Sequence, residues 1–169
     1  MNQVLSKEFF LRPATELASE LLGKLLCRKI DGEIIRLRIL ETECYFGEED
    51  TACHAHKGRT PRTDIMYEAG GNAYVYLCYG IHYLLNITTG EEGHPEAVLI
   101  RAVEGSVGPG RLTKRLSIDR ALNRAPLSEE NGLWLEDDGA RPDYITAPRV
   151  GIDYASEEDR NRLWRFLVK

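Results

Sequence analysis

Apolar positions recur along this chain mostly with a two-residue rhythm, and one short stretch near the start follows a helical spacing instead. From Pro13 to Leu22, Leu17, Leu21 and Leu22 fall near one side. Pro13 suits a first turn and Gly23 a stop, so a short helix is expected. LLCRKI (25–30) and EIIRLRILETECY (33–45) flank Asp31-Gly32, a pair that accepts positive φ at both turn positions and predicts a tight hairpin. In the second strand Ile35, Leu37 and Ile39 share a face, with Ile34, Arg36, Arg38, Leu40, Thr42 and Cys44 opposite. The period carries Glu43 onto the apolar face. Such a carboxylate either has reached solvent at the strand end or has a partner and a task.

Residues 46–71 lose the rhythm and are rich in Gly, His, Asp, Thr and Arg. A loop that long inside a small domain is commonly functional. The β pattern resumes in AYVYLCYGIHYLLNITT (73–89), broken at Tyr79-Gly80, and again in PEAVLIRAVE. Tyr74, Tyr76 and Cys78 share one face, Val75 and Leu77 the other; the aromatic row suits sheet packing or a stacking platform. Gly108-Pro109-Gly110 precedes RLTKRLSI, where Leu112, Leu116 and Arg115 follow helical spacing and Lys114 points outward. Helical N–H groups and neighbouring cations there suit a phosphate. Short strands are expected around 133–135, 149–152 and 164–168, with Trp134 and Trp164 in the core.

Composition adds limits. The 169 residues suffice for one domain with its own core, and 43% apolar with 29% charged residues is ordinary for a globular protein. The formal net charge of -5 excludes a generally basic nucleic-acid-coating protein, so any such partner needs a local patch. Arg111, Lys114, Arg115, Arg120 and Arg124 supply one, opposed only by Asp119, whereas 129–143 is mostly acidic. Cys27, Cys44, Cys53 and Cys78 form no CxxC pair and read as thiols in a reducing compartment. No export signal or membrane-length apolar run is visible, so a cytoplasmic location is expected.

The segments LLGKLL, ILETECYFGEEDTACHAHKGRTPR, AYVYLCYGIHYLLNITT, AVLIRAVE and GPGRLTKRLSI occur in an order and spacing that resemble the alkyladenine, or 3-methyladenine, DNA glycosylase family. WLE, PRVGI and WRFLV resemble its closing strands, so nearly the whole chain is covered. The resemblance implies an α+β fold, a single compact domain over 1–169 with a curved, mainly antiparallel β-sheet and short packed helices. It implies a monomer that needs no cofactor or metal, acting on double-stranded DNA containing damaged purines.

Residue by residue, the second acid of Glu41-Thr42-Glu43-Cys44-Tyr45 matches the family's water-activating carboxylate, and Arg101 the arginine that helps hold the water or adjoining backbone. Tyr45, His54 and Tyr76 match the base-binding pocket, and Asn86 the residue limiting which purines enter. Tyr79 matches the wedge placed in the duplex; Arg111, Lys114 and Arg115 are candidate phosphate contacts. The chain departs from the family at Thr63-Asp64, where relatives carry asparagine, in the acidic stretch before Arg101, and at Cys44, Cys53 and Cys78.

The chemistry suits those groups. Hydrolysis of an N-glycosidic bond needs a water aimed at a sugar carbon that gains positive character, and one fixed carboxylate can serve both. An electron-poor alkylated purine gains stacking and cation–π attraction between aromatic rings. Two rival readings remain: a non-catalytic binding module for damaged nucleic acid, and a zinc site built from Cys53, His54 and His56 with Cys44 or Glu43. No lysine or N-terminal proline matches an imine-forming position, so an abasic site and a free base are the expected products.

Overall fold

A computed structural model describes residues 1–169. The chain opens with β1 (Gln3–Val4) and helix α1 (Ala14–Glu20), then the hairpin β2 (Leu25–Ile30) and β3 (Glu33–Phe46). β4 (Ala73–Cys78), β5 (His82–Thr88), β6 (Glu96–Val103) and β7 (Ser106–Val107) follow, and α2 (Pro109–Arg115) leads to β8 (Leu133–Asp137). β9 (Tyr144–Ala147), α3 (Glu157–Asn161) and β10 (Arg165–Val168) close the chain. All strand pairings are antiparallel, in the order β1-β8-β2-β3-β6-β5-β4, with β10 on β3, β9 on β10 and β7 on β6. The open antiparallel sheet with three short helices is the α+β architecture expected.

Local chemistry accounts for the joints. Asp31 and Gly32 both take positive φ, 50° and 82°, at the β2–β3 turn, and Tyr79 and Gly80 do the same, 52° and 66°, at the β4–β5 tip. α1 lacks a side-chain cap from its own neighbours. Buried Glu96 supplies one, its Oε1 accepting from the Ala14 N–H at 2.6 Å, so a carboxylate 82 residues away satisfies the positive end of the helix. α1 packs on β3 and β6, and α2 on β5 and β6, covering one sheet face with leucine, isoleucine and valine.

β3 does not keep the simple alternation. Its first half pairs with β2; its second half pairs with β6, and the register slips where the strand passes between them. Ile39 faces Val103, Glu41 faces Ala102 and Thr42 faces Ile100, so Leu40 on β3 and Arg101 on β6 are each left over. Such paired irregularities reverse which face later residues occupy. Leu37, Ile39 and Cys44 therefore enter the same core, as do Val103, Ile100 and Val98 on β6. Thr42 turns inward too, donating to the Ala18 carbonyl. Glu43 is thus not a continuation of the Ile35-Leu37-Ile39 face: it lies on the opposite side with Tyr45, to which it is hydrogen-bonded.

Two other expectations are corrected. Residues 149–152 form a loop, not a strand; the strand precedes them as β9. Arg149 is drawn inward by Asp50; the Val150 N–H is used by Glu43 and Gly151 takes a φ of 73°, and these last two interrupt a ladder. Trp134 is buried as expected, but Trp164 is only partly buried, lying between the guanidinium groups of Arg149 and Arg162. Cys27, Cys44 and Cys53 are buried free thiols and Cys78 is half-buried.

Candidate active site

The side of β4–β5–β6 turned away from the helices opens into a cleft of about 830 Å³, closed by the 52–66 loop, the start of α2 and the 150–154 loop. That volume suits a group of nucleotide size. Its aromatic wall comes from strand alternation: Tyr74, Tyr76 and Cys78 all line it, while Val75 enters the core. Leu77 also reaches the rim, where the twisted hairpin leaves the core behind. At the other wall, Gly110 lets α2 approach β5; a Cβ there would lie 2.8 Å from the His82 ring.

Beneath the cleft sits Glu43. It is fully buried, and its own atoms do not line the cavity; Tyr45, Arg101 and Val150 do. The Tyr45 hydroxyl donates to Oε1 at 2.8 Å and the Val150 N–H donates to Oε2 at 2.7 Å. Arg101 approaches Oε1 at 3.8 Å, while its Nε donates to Glu41 at 2.8 Å. Burial raises the Glu43 carboxyl above its ordinary range, and Arg101, the Val150 amide, Tyr45 and Arg149 only partly oppose it. A carboxylate held in that state is a proton acceptor of raised basicity close to an open cavity.

His54 lies on the 3₁₀ turn 54–57, its Nδ1 2.8 Å from the Tyr74 hydroxyl and its ring edge-on to Tyr76 with centroids 4.6 Å apart. Burial, assisted by Arg62, lowers its pKa to about 4. The imidazole is therefore neutral near pH 7 and offers one donor and one acceptor. Asn86 is buried at the cleft floor, donating to the Tyr74 carbonyl at 3.3 Å. Tyr79 stands at the hairpin tip with 87% of its surface exposed.

The phosphate candidates separate. Arg111 lines the cleft; Lys114 and Arg115 do not, and Arg115 donates instead to the Glu104 carbonyl and Ser106. Spacing had placed Arg115 near the apolar side of its helix, yet it is exposed, because the β6–β7 turn offers acceptors there. Arg124 is engaged with Asp64 and Glu68. The cations of the cleft are Arg62, Arg101 and Arg111, and no acidic side chain is among its lining residues, so a chain of net charge -5 still presents a positive cavity. The acidic stretch 90–96 lies outside the cleft lining.

Sequence reasoning missed Arg149, Val150, Tyr154 and the stacking position of Arg62, whose guanidinium lies 5.0 Å from the Tyr76 centroid. Val150 acts through its backbone, which no side-chain pattern reports. Tyr154 lines the cleft and donates its hydroxyl to the Ala52 carbonyl at 2.8 Å, tying the two flanking loops. The zinc set weighed above is not assembled: no three His, Cys, Asp or Glu side chains gather in a way that could hold a metal ion.

A cavity walled by tyrosines and edged by arginines, with a buried carboxylate behind its lining, fits an enzyme acting on a planar ring carried by an anionic chain. The family model described as methylpurine-DNA glycosylase matches residues 8–107 and 105–169. A protein of Psychrobacter cryohalolentis named "Putative 3-methyladenine DNA glycosylase" is 46% identical over 93% of this chain and 88% of its own. Proteins of the same name from Borreliella burgdorferi and Methanocella arvoryzae are 45% and 44% identical, each over 98% of this chain and over 96% and 92% of theirs. The chain belongs to the methylpurine-DNA glycosylase family.

Proposed function

We propose that this DNA repair glycosylase extrudes an alkylated or deaminated purine from duplex DNA into the cleft and hydrolyses its N-glycosidic bond, leaving an abasic site. The substrate class is that of 3-methyladenine, 7-methylguanine, hypoxanthine and ethenoadenine. The observation that carries the reading is the buried Glu43 carboxylate, hydrogen-bonded on each oxygen by a residue that lines the cleft, Tyr45 and Val150.

In this mechanism Glu43 accepts the proton of a water directed at the sugar carbon, and its charge offsets the positive character that grows there. Arg101 keeps the carboxylate and the water in line. A base already positively charged by alkylation departs without prior protonation, so no second acid is needed for it. Tyr45, His54 and Tyr76 hold the extruded ring by stacking. Asn86 restricts entry by the groups it presents to the purine edge, and Tyr79 fills the space the nucleotide leaves. Arg111 holds a phosphate, and Lys114 and Arg115 contribute at longer range.

The enzyme acts as a monomer on DNA in the cytoplasm or nucleoid; no helix is long and apolar enough to cross a membrane. The deciding experiment incubates the protein with duplexes holding one methylated purine or hypoxanthine, then reveals abasic sites with alkali, with Glu43→Gln beside it. Cleavage by the native protein and a loss of about 10²-fold or more in the variant is expected. Binding without cleavage on every lesion would instead identify a recognition module.

A further inference from the structure

The residues about Glu43 are gripped by a group outside the cleft. Arg149 is buried, and its guanidinium donates to both oxygens of Asp50 at 2.6 and 2.9 Å and to the Cys44 carbonyl at 2.9 Å. Its Cζ lies over two rings, 4.9 Å from the Tyr45 centroid and 5.0 Å from that of Trp164. The next residue, Val150, gives its N–H to Glu43. Asp50 in turn accepts from the N–H groups of Phe46 and Ala52, so one ion pair joins β3, the His54-bearing loop and the 149–152 loop.

We infer that Arg149 is a positioning residue for base excision, holding Glu43 and Tyr45 in their working orientation through Cys44, the face of Tyr45 and its own neighbour Val150. This rests on Glu43 being the water-activating group. A buried ion pair alone would be an ordinary structural feature. Two details go further. The Arg149 Nε is buried without an acceptor, so the guanidinium is oriented by the two rings as well as by its acceptors. Moreover, the three groups that Arg149 and Val150 hold belong to consecutive residues, Glu43 to Tyr45, and two of them are the proposed base and a proposed stacking ring. Misplacement by about 1 Å can cost on the order of 100-fold in rate.

Lysine in place of Arg149 keeps the charge opposite Asp50 but removes the flat face and the forked donors. In Arg149→Lys, single-turnover excision of hypoxanthine from a duplex at saturating enzyme should fall roughly tenfold or more. Affinity for undamaged duplex, which the cleft arginines govern, should change by less than about twofold. If circular dichroism shows Arg149→Lys unfolded, the paired variant Asp50→Asn/Arg149→Gln, which removes both charges of this pair together, carries the same expectation. A folded variant that excises within about twofold of the native rate overturns the inference. Glu43→Gln, run in parallel, separates the two ideas: native activity there defeats the Glu43 reading itself, whereas an inactive Glu43→Gln with fully active Arg149 variants defeats only the positioning role.

Discussion

Of the glutamates buried in the sheet, Glu136 on β8 and Glu43 on β3 differ most in their surroundings. Glu136 receives Arg36 on both oxygens at 2.9 and 3.2 Å, the Trp134 indole at 2.9 Å and Asn2 at 2.9 Å. Hydrogen bonding from Arg36 is the largest cause of its pKa falling to about 2. Glu43 has two neutral donors and its nearest arginine 3.8 Å away, shared with Glu41, and burial carries its pKa upward. One acid is fully compensated and lies outside the cleft; the other is under-compensated and lies beneath it. Burial alone therefore does not set a carboxylate's proton affinity; the charges and donors that reach it do.

The difference is open to direct attack, first through activity. Glu43→Gln should lose about 10²–10⁴-fold in excision, the usual contribution of a positioned proton acceptor, whereas Glu136→Gln should keep its single-turnover rate within about twofold. Comparable losses in both would erase the distinction. The exposed tip of the β4–β5 hairpin gives the next largest effect. Tyr79→Ala should lose about tenfold on duplex substrate and much less on single strands, because only the duplex leaves a gap to fill. Equal losses on both substrates would remove the wedge role.

Stability should move oppositely at the two sites. Glu136 has a lowered pKa, so its contribution is complete above the ordinary carboxyl value of 4.5 and is lost as pH falls toward about 2. Glu136→Gln should therefore destabilise the protein by about 1–3 kcal/mol at neutral pH, read from urea unfolding, with the deficit shrinking in acid. Glu43 has a raised pKa; the stability associated with its protonated form is present below 4.5 and lost as pH rises through the folded value. At neutral pH, Glu43→Gln should accordingly be no less stable than the native protein, and a marked loss of stability would place Glu43 with the structural acids.

The same sign governs catalysis. Excision should rise with pH as Glu43 ionises, with a midpoint above 4.5 in a single-turnover profile; a midpoint at or below that value would contradict the incomplete compensation described above. The smallest effect is expected at Asn86. Asn86→Gly should narrow the ratio of methylated to unmodified purine excision by severalfold, on the order of 1 kcal/mol in discrimination. An unchanged ratio would discard its role in selection.

Much of this was legible in the chain itself. Asp31-Gly32 marked one hairpin through its own backbone preference, Tyr79-Gly80 broke the β pattern where the second hairpin turns, and the alternation of Tyr74, Tyr76 and Cys78 placed three side chains on the cleft side. Pro13 and Gly23 bounded α1, and the motif residues Tyr45, His54, Tyr76, Asn86 and Arg101 all lie along the cleft. These properties are local, or they are carried by side-chain identity at a fixed spacing. Only the tertiary structure decided which way Glu43 points, because counting residues along β3 cannot register a slip shared with β6. It alone also gave Glu43 the Val150 amide and set Arg149 between Tyr45 and Trp164, contacts more than 100 residues distant in sequence except for the neighbouring Trp164. The motif marks Glu43 as the candidate for water activation, but its orientation and raised pKa come from partners that meet only when the chain has folded.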